Sequence, residues 1–203
     1  MFLSKVVLNH HSREVCENIC NSDYLHKRVM EGFNDYFMDG RSFERKDKNI
    51  LFRTHFSSSS FIIYVQSEVE PNWYGKEWVL SANIKCIDSI LDFIQSGKVL
   101  SFDLDCIPYF TDETGKLRSY VKADDKIEWF RKKGDYNGFK LLSCRVSFSN
   151  KKVTNIGGHS NIIFNLSNLV GKLEVTDADA FKQFFKKGVG RQKAYGAGMI
   201  LLG

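Results

Sequence analysis

The segment Gly188-Val189-Gly190-Arg191-Gln192-Lys193-Ala194-Tyr195-Gly196-Ala197-Gly198 carries four glycines and two cations. Glycines let backbone N–H groups approach phosphate oxygens, and Arg191 and Lys193 add positive charge. The segment is no Walker loop, because GxxxxGK[ST] is absent. It is no dinucleotide fingerprint either, since it follows a helical pattern and enters a final strand. A tight helix-to-strand connection accounts for the glycines but not for both cations. The segment therefore predicts contact with a phosphate backbone through Gly188, Gly190, Arg191 and Lys193. The charge balance points the same way. Residues 140–203 hold ten Lys/Arg against three acids, a net +7, while the rest of the 203-residue chain is −2. Such one-sided charge suits a polyanion, with nucleic acid first and an anionic membrane surface second; a solvated basic face is the bland reading.

The other titratable residues give weaker signals. His10, His11, His55 and His159 have no partners at a recognised spacing, and His26 taken alone reads as a surface or helix-end histidine. Asp103 and Asp105 alternate onto one face of a strand, but no third ligand accompanies them as a metal pair would need. They are expected to face solvent or a partner subunit. The five cysteines form no CxxC pair, and Cys16 and Cys20 lie four apart without a second such pair, which excludes the usual zinc arrangements. Buried free thiols in a reducing cytoplasm are expected. No metal or other cofactor is expected.

The elements that must position these residues can be read from periodicity. A strand opens the chain at MFLSKVVLN. A helical stretch follows over residues 12–37, with Ser12 as N-cap and the Asn21-Ser22-Asp23 cluster as a second start that carries Tyr24 and His26. Residues 39–48 read as a loop. Runs 50–56 and 61–67, separated by four serines, predict a hairpin. Beyond Pro71 comes a variable stretch, then a helix at 87–95 closed by Gly97, then a strand over 99–107. The order is β-α-β-β-α-β, the ferredoxin-like unit. A polar connection at 111–119 places the domain boundary after residue 110. The second half reads as a helix at 123–133 and strands near 139–148, 153–156 and 162–166, joined by the turns SFSNKK and NIGGHSN. A strand over LVGKLEV, a helix capped by Thr176 or Asp177 and stopped by Gly188, and a closing GMILL strand complete it. The expected fold is α+β, two tandem ferredoxin-like (RRM-like) domains with antiparallel sheets, 1–110 and 111–203.

The glycine-rich segment with its GMILL continuation resembles the C-terminal signature of the RAMP superfamily of CRISPR-associated proteins. More narrowly, the chain resembles the CasE family, the CRISPR RNA-processing endoribonuclease of the type I-E Cascade complex. That likeness is carried by MFLSKVVL at the start, Tyr24-Leu25-His26 followed by Phe33, VGKLEVTDADAF at 170–181, and the final loop. The resemblance implies tandem ferredoxin-like domains and metal-independent cleavage of a CRISPR repeat RNA at the base of its stem-loop. The ribose 2′-hydroxyl attacks the adjacent phosphate, leaving a 2′,3′-cyclic phosphate and a 5′-hydroxyl. It places the catalytic histidine on His26, a natural proton donor near neutral pH, with Tyr24 as the neighbouring hydroxyl. Arg145, Lys151 and Lys152 then become the residues that grip the stem through phosphates and shape.

The chain departs from the family pattern at two points. The family places its tyrosine three residues before the histidine, where this chain has Asp23; Tyr24 stands two before, about 100° away around a helix. The family's basic segment at the end of the first domain is replaced by Phe102-Asp103-Leu104-Asp105-Cys106-Ile107-Pro108. The expected partners are a repeat stem-loop RNA and other Cascade subunits, with no membrane. No apolar run reaches the roughly 18 residues of a membrane span, and no signal peptide is evident, so a cytoplasmic protein is expected. Two alternatives stay open: a non-catalytic RNA-binding member of the superfamily, and a protein that occupies this subunit's place without processing RNA.

Overall fold

The computed structural model describes residues 1–34, 48–58, 60–156 and 159–203, with the side chains of 149–164 excepted. The expected loop over 39–48, apart from Lys48, and the side chains of Lys151, Lys152 and His159 lie outside the described residues.

The first unit comprises β1 (Phe2–Leu8), α1 (Arg13–Asn18), α2 (Ser22–Glu31), β2 (Leu51–Phe56), β3 (Phe61–Ser67) and β4 (Val79–Cys86). Alternation on β1 sends Ser4, Val6 and Leu8 inward while Lys5 stays exposed. Two caps set the helices. The Ser12 hydroxyl accepts from the Val15 amide, and the Asn21 side chain accepts from the amides of Asp23 and Tyr24. From Asn21 onward, Leu25, Val29 and Phe33 recur every four residues and are almost wholly buried. Each such side chain contributes about 1.5–3 kcal/mol by leaving water.

The sheet order is β2-β3-β1-β4, all antiparallel, which is the ferredoxin-like sequence of strands. The second helix of the pattern is absent between β3 and β4. Trp73 and Trp78 fill its place, edge to face at 5.9 Å, with Phe33 meeting Trp73 at the same distance. Gly32 is required there, because a Cβ would lie 2.2 Å from the Trp73 ring.

This arrangement corrects the expected first unit. Its fourth strand is β4, not 99–107. The helix α3 (Asp88–Asp92) ends at Phe93 rather than at Gly97, and Ile87, Leu91 and Ile94 are buried in the second core. The strand β5 (Val99–Cys106) pairs with β9 (His159–Val175) and β10 (Ile200–Leu202) of the second sheet. The sheets therefore divide between Cys86 and Val99, ahead of the expected boundary at 110.

The second unit continues with a small hairpin, β6 (Tyr109–Thr111) and β7 (Leu117–Ser119), then α4 (Ala123–Asn137), β8 (Phe139–Ile156), β9, α5 (Ala178–Lys187) and β10. Its sheet order is β10-β5-β9-β8, again fourth-first-third-second. The Asp177 side chain caps α5 by accepting from Asp179 and Ala180. Phe181, Phe184 and Phe185 pack with Phe130 and Phe139 over Leu104, Leu169 and Leu173. The expected short strands and SNKK turn are instead one long hairpin of β8 and β9, with register shifts at Leu141/Ser143, Val146/Phe148 and Thr154/Ile156. No helix among the described residues is long and apolar enough to cross a membrane.

All five cysteines are free, but only Cys106 is buried; Cys16, Cys20 and Cys86 are exposed and Cys144 is intermediate. The expected buried thiols fail for these three because short helices and an edge strand leave those positions on the surface. Burial pushes the Cys144 thiol up to about 11 and raises Cys106 well above the usual thiol range. The thiolate is the reacting species, so at pH 8 about one Cys144 in a thousand is reactive, rising about tenfold per pH unit. Iodoacetamide at pH 8 should label Cys16, Cys20 and Cys86 well before Cys144 and Cys106. Mass-spectrometric mapping showing Cys144 modified as fast as Cys16 contradicts this packing.

Candidate active site

The two units meet along β2 and β3 on one side and β5, α5 and the glycine-rich connection on the other. Arg53 of β2 is 7% exposed and sits between both aspartates of β5. Its guanidinium lies 3.0 Å from Asp103 Oδ1 and 3.2 Å from Asp105 Oδ2. The Asn168 amide donates to the same carboxylates, at 2.5 Å to Asp103 and 2.9 Å to Asp105. The aspartates do share a strand face, as expected. Their occupant is the first unit's arginine, which corrects the expectation of a solvent- or partner-facing position for Asp105, 4% exposed, while Asp103 stays half-exposed. A second tie runs from Gln66 of β3, whose amide donates to the Phe185 carbonyl at 3.2 Å.

The glycine-rich connection is folded against this junction. Gly188 terminates α5 at φ +70 and ψ 169, a region that side-chain-bearing residues avoid. A Cβ there would stand 2.6 Å from Leu51 of β2 and 2.8 Å from the Gly198 carbonyl. Its amide donates to Phe184. Packing therefore explains Gly188, whose position is buried and whose amide is occupied. The amides of Val189, Tyr195, Gly196 and Gly198 also have internal acceptors. Gly190 is half-buried, and a Cβ there would stand 3.5 Å from the Trp129 ring, an ordinary contact. Arg191 is exposed, its guanidinium 5.3 Å from the Tyr109 ring centre. Lys193 turns back to donate to the Lys187 carbonyl at 2.6 Å, an ammonium at a helix C-terminus.

A single-turn 3-10 helix, Lys193–Tyr195, packs against α2, which also meets β8. This contact brings a helix near the start of the sequence together with the turn near its end. The His26 ring is half-buried with Nδ1 inside, so its accessible part is the remainder of the ring. Asp23, one turn earlier, holds Lys27 at 2.9 Å. Tyr24 points elsewhere. Its ring packs on the first core and under the Arg28 guanidinium at 4.9 Å, and its hydroxyl is buried. Burial raises the Tyr24 phenol above its ordinary range, partly offset by Arg28. Arg28 in turn pairs with Glu14 and Glu31.

Arg145 is exposed on β8, opposite Val170 of β9, and borders a shallow groove with Ser101, Ser143 and Lys172. Lys151 and Lys152 occupy the next part of the same strand, opposite Asn165 and Phe164. They stand within a strand rather than at the tip of a turn. The structure thus brings α2, the helix that carries His26, to the glycine-rich connection, while Arg145, Lys151 and Lys152 follow one another along β8.

The whole chain, residues 1–203, matches the family model described as CRISPR associated protein. The chain belongs to this family of CRISPR-associated proteins. Within it, the chain is similar to the CRISPR-associated endoribonuclease Cse3 of Thermus thermophilus, with 23% identity over 98% of each chain. The fold is that of Cse3 bound to a 19-nucleotide RNA, with a TM-score of 0.85, 21% identity and full coverage of both chains. It is also that of Cas6e from Escherichia coli K-12, with a TM-score of 0.73, 19% identity and coverage of 100% and 98%. The tandem ferredoxin-like architecture of this CRISPR-associated protein is thereby shared along its entire length.

Sequence reasoning missed the junction. Arg53 gave no signal, being one arginine in an apolar strand, and neither did Tyr195, whose neighbours along the chain are glycine and alanine. Both matter only through contacts made across the two units.

Proposed function

We propose that this protein is an endoribonuclease that cuts CRISPR repeat RNA at the base of its stem-loop and then stays on the product as a subunit of a Cascade-type complex. Support comes from family membership over the whole chain and from full-length similarity to Cse3, a protein solved bound to RNA. Two similar chains come from CRISPR RNA-guided surveillance complexes. The observation that carries the reading is the half-buried His26 on α2, the helix that packs against the glycine-rich connection.

The RNA holds its own nucleophile beside the reacting phosphate. Attack by the 2′-oxygen on phosphorus forms the cyclic phosphate as the bond to the 5′-oxygen breaks. The 2′-hydroxyl proton leaves to solvent, and His26 supplies a proton to the departing oxygen. The reaction so written needs general acid catalysis and a positioned phosphate, not a metal-bound nucleophile. Arg191, Lys193 and Gly190 at the connection, with Arg145, Lys151 and Lys152 along β8, are the residues to hold the backbone on either side of the cut.

The test is cleavage of end-labelled repeat stem-loops in EDTA on a denaturing gel, with analysis of the product ends. One cut leaving a cyclic phosphate and a 5′-hydroxyl is expected. Binding should fall steeply between about 50 and 200 mM salt, as counterion release demands. A non-catalytic RNA-binding subunit is the second reading, favoured by the buried Tyr24 hydroxyl. Tight, salt-sensitive binding with no cut would establish it.

A further inference from the structure

The helix that carries His26 presents no usable phenol of its own. Asp23 and His26 are three residues apart on α2 and so share one face, whereas Tyr24 lies about 100° around the axis. Its hydroxyl is inside, and its ring is held under Arg28, which Glu14 and Glu31 fix. A second tyrosine arrives from the opposite end of the sequence. Tyr195 closes the 3-10 turn that packs on α2. It is anchored, with Leu166, against the buried pair Ile107 and Ala197, while the residue remains partly exposed. The turn itself is pinned twice, by the Tyr195 amide donating to Gln192 at 2.9 Å and by Lys193 donating to the end of α5.

The turn that Tyr195 closes lies against α2, the helix on which Asp23 and His26 share one face. We propose that Tyr195 supplies the phenolic hydrogen-bond donor of the His26 site, bonding a non-bridging oxygen of the scissile phosphate. This rests on the ribonuclease reading above. Burial first, and the Asp23 charge second, raise the Tyr195 phenol above its ordinary range. It therefore keeps its proton at neutral pH and acts as a donor, not as a base. A fixed donor aimed at an oxygen that gains charge in the transition state strengthens as the reaction proceeds. Asp23 stands where a tyrosine would precede His26 by three residues. The chain thus has a carboxylate on the helix and the phenol on the facing turn.

The experiment compares Tyr195→Phe with Tyr24→Phe in single-turnover cleavage of a repeat stem-loop, with binding and thermal unfolding measured on the same proteins. Tyr195→Phe keeps the ring and should keep fold and affinity, yet cut about 100-fold more slowly. Tyr24→Phe should cut at close to the wild-type rate. A substrate with sulfur at the non-bridging position, a poorer acceptor, adds a readout that simple mispositioning does not move. It should slow the wild type more than it slows Tyr195→Phe. A Tyr195→Phe protein that cuts as fast as wild type overturns the assignment. So does a slow one that shows the full wild-type sulfur effect. If the wild type binds but never cuts, the ribonuclease reading itself fails and the role of Tyr195 fails with it; the two failures are thus read from different lanes.

Discussion

The His26→Ala protein should bind a repeat stem-loop as tightly as the wild type and cut it about 100- to 10,000-fold more slowly, the usual worth of a positioned general acid. Its fold should survive. Leu25, Val29 and Phe33 hold α2 to the core, Asn21 caps it, and alanine is a better helix former than histidine. Because the missing group is a proton donor, free imidazole should restore part of the rate at a level that rises with its concentration. The measurement is single-turnover cleavage beside a binding isotherm. Equal rates in the two proteins would remove His26 from the chemistry. A parallel loss of binding and folding would reduce it to a structural residue.

Arg53→Met should produce the largest loss of stability of any single change at the junction, about 3–5 kcal/mol, because removing one partner strands the others. Asp105 is buried and Asp103 half-exposed, and both lose the guanidinium that neutralises them. Asn168 cannot replace it, since an amide offers hydrogen bonds without charge. The triple variant Arg53→Met, Asp103→Asn, Asp105→Asn should recover most of the loss, as no stranded charge remains. Urea denaturation followed by circular dichroism decides this. A single variant within about 1 kcal/mol of wild type would show that water compensates the aspartates and that the cluster does not hold the units together.

Features carried by neighbouring residues were legible in the sequence. The caps Ser12, Asn21 and Asp177 and the four-residue spacing of Leu25, Val29 and Phe33 predict helices where helices stand. The closing GMILL strand and the stop at Gly188 follow from the same local rules. What failed was set at a distance. β4 is an edge strand with its residues largely exposed, so it shows no inward–outward alternation and reads as irregular chain. Without it, α3 and β5 filled the vacancy in a pattern that expects six elements, and the boundary moved with them. The register shifts in β8 and β9 interrupt period-two alternation and made one long hairpin look like several strands. Asp103 and Asp105 were placed on the correct face, but their meaning depended on Arg53, fifty residues earlier in the sequence.

Asp105 is joined to two parts of the molecule at once. Its side chain grips Arg53 of the first unit, while its carbonyl accepts from Gly198 at 2.6 Å and so anchors the end of the glycine-rich connection. One residue thus works as a rivet through three layers. Under the proposed function, a load placed by RNA on the connection would pass through it into the sheet that supports α2, so that substrate grip and the seating of His26 would be mechanically a single event.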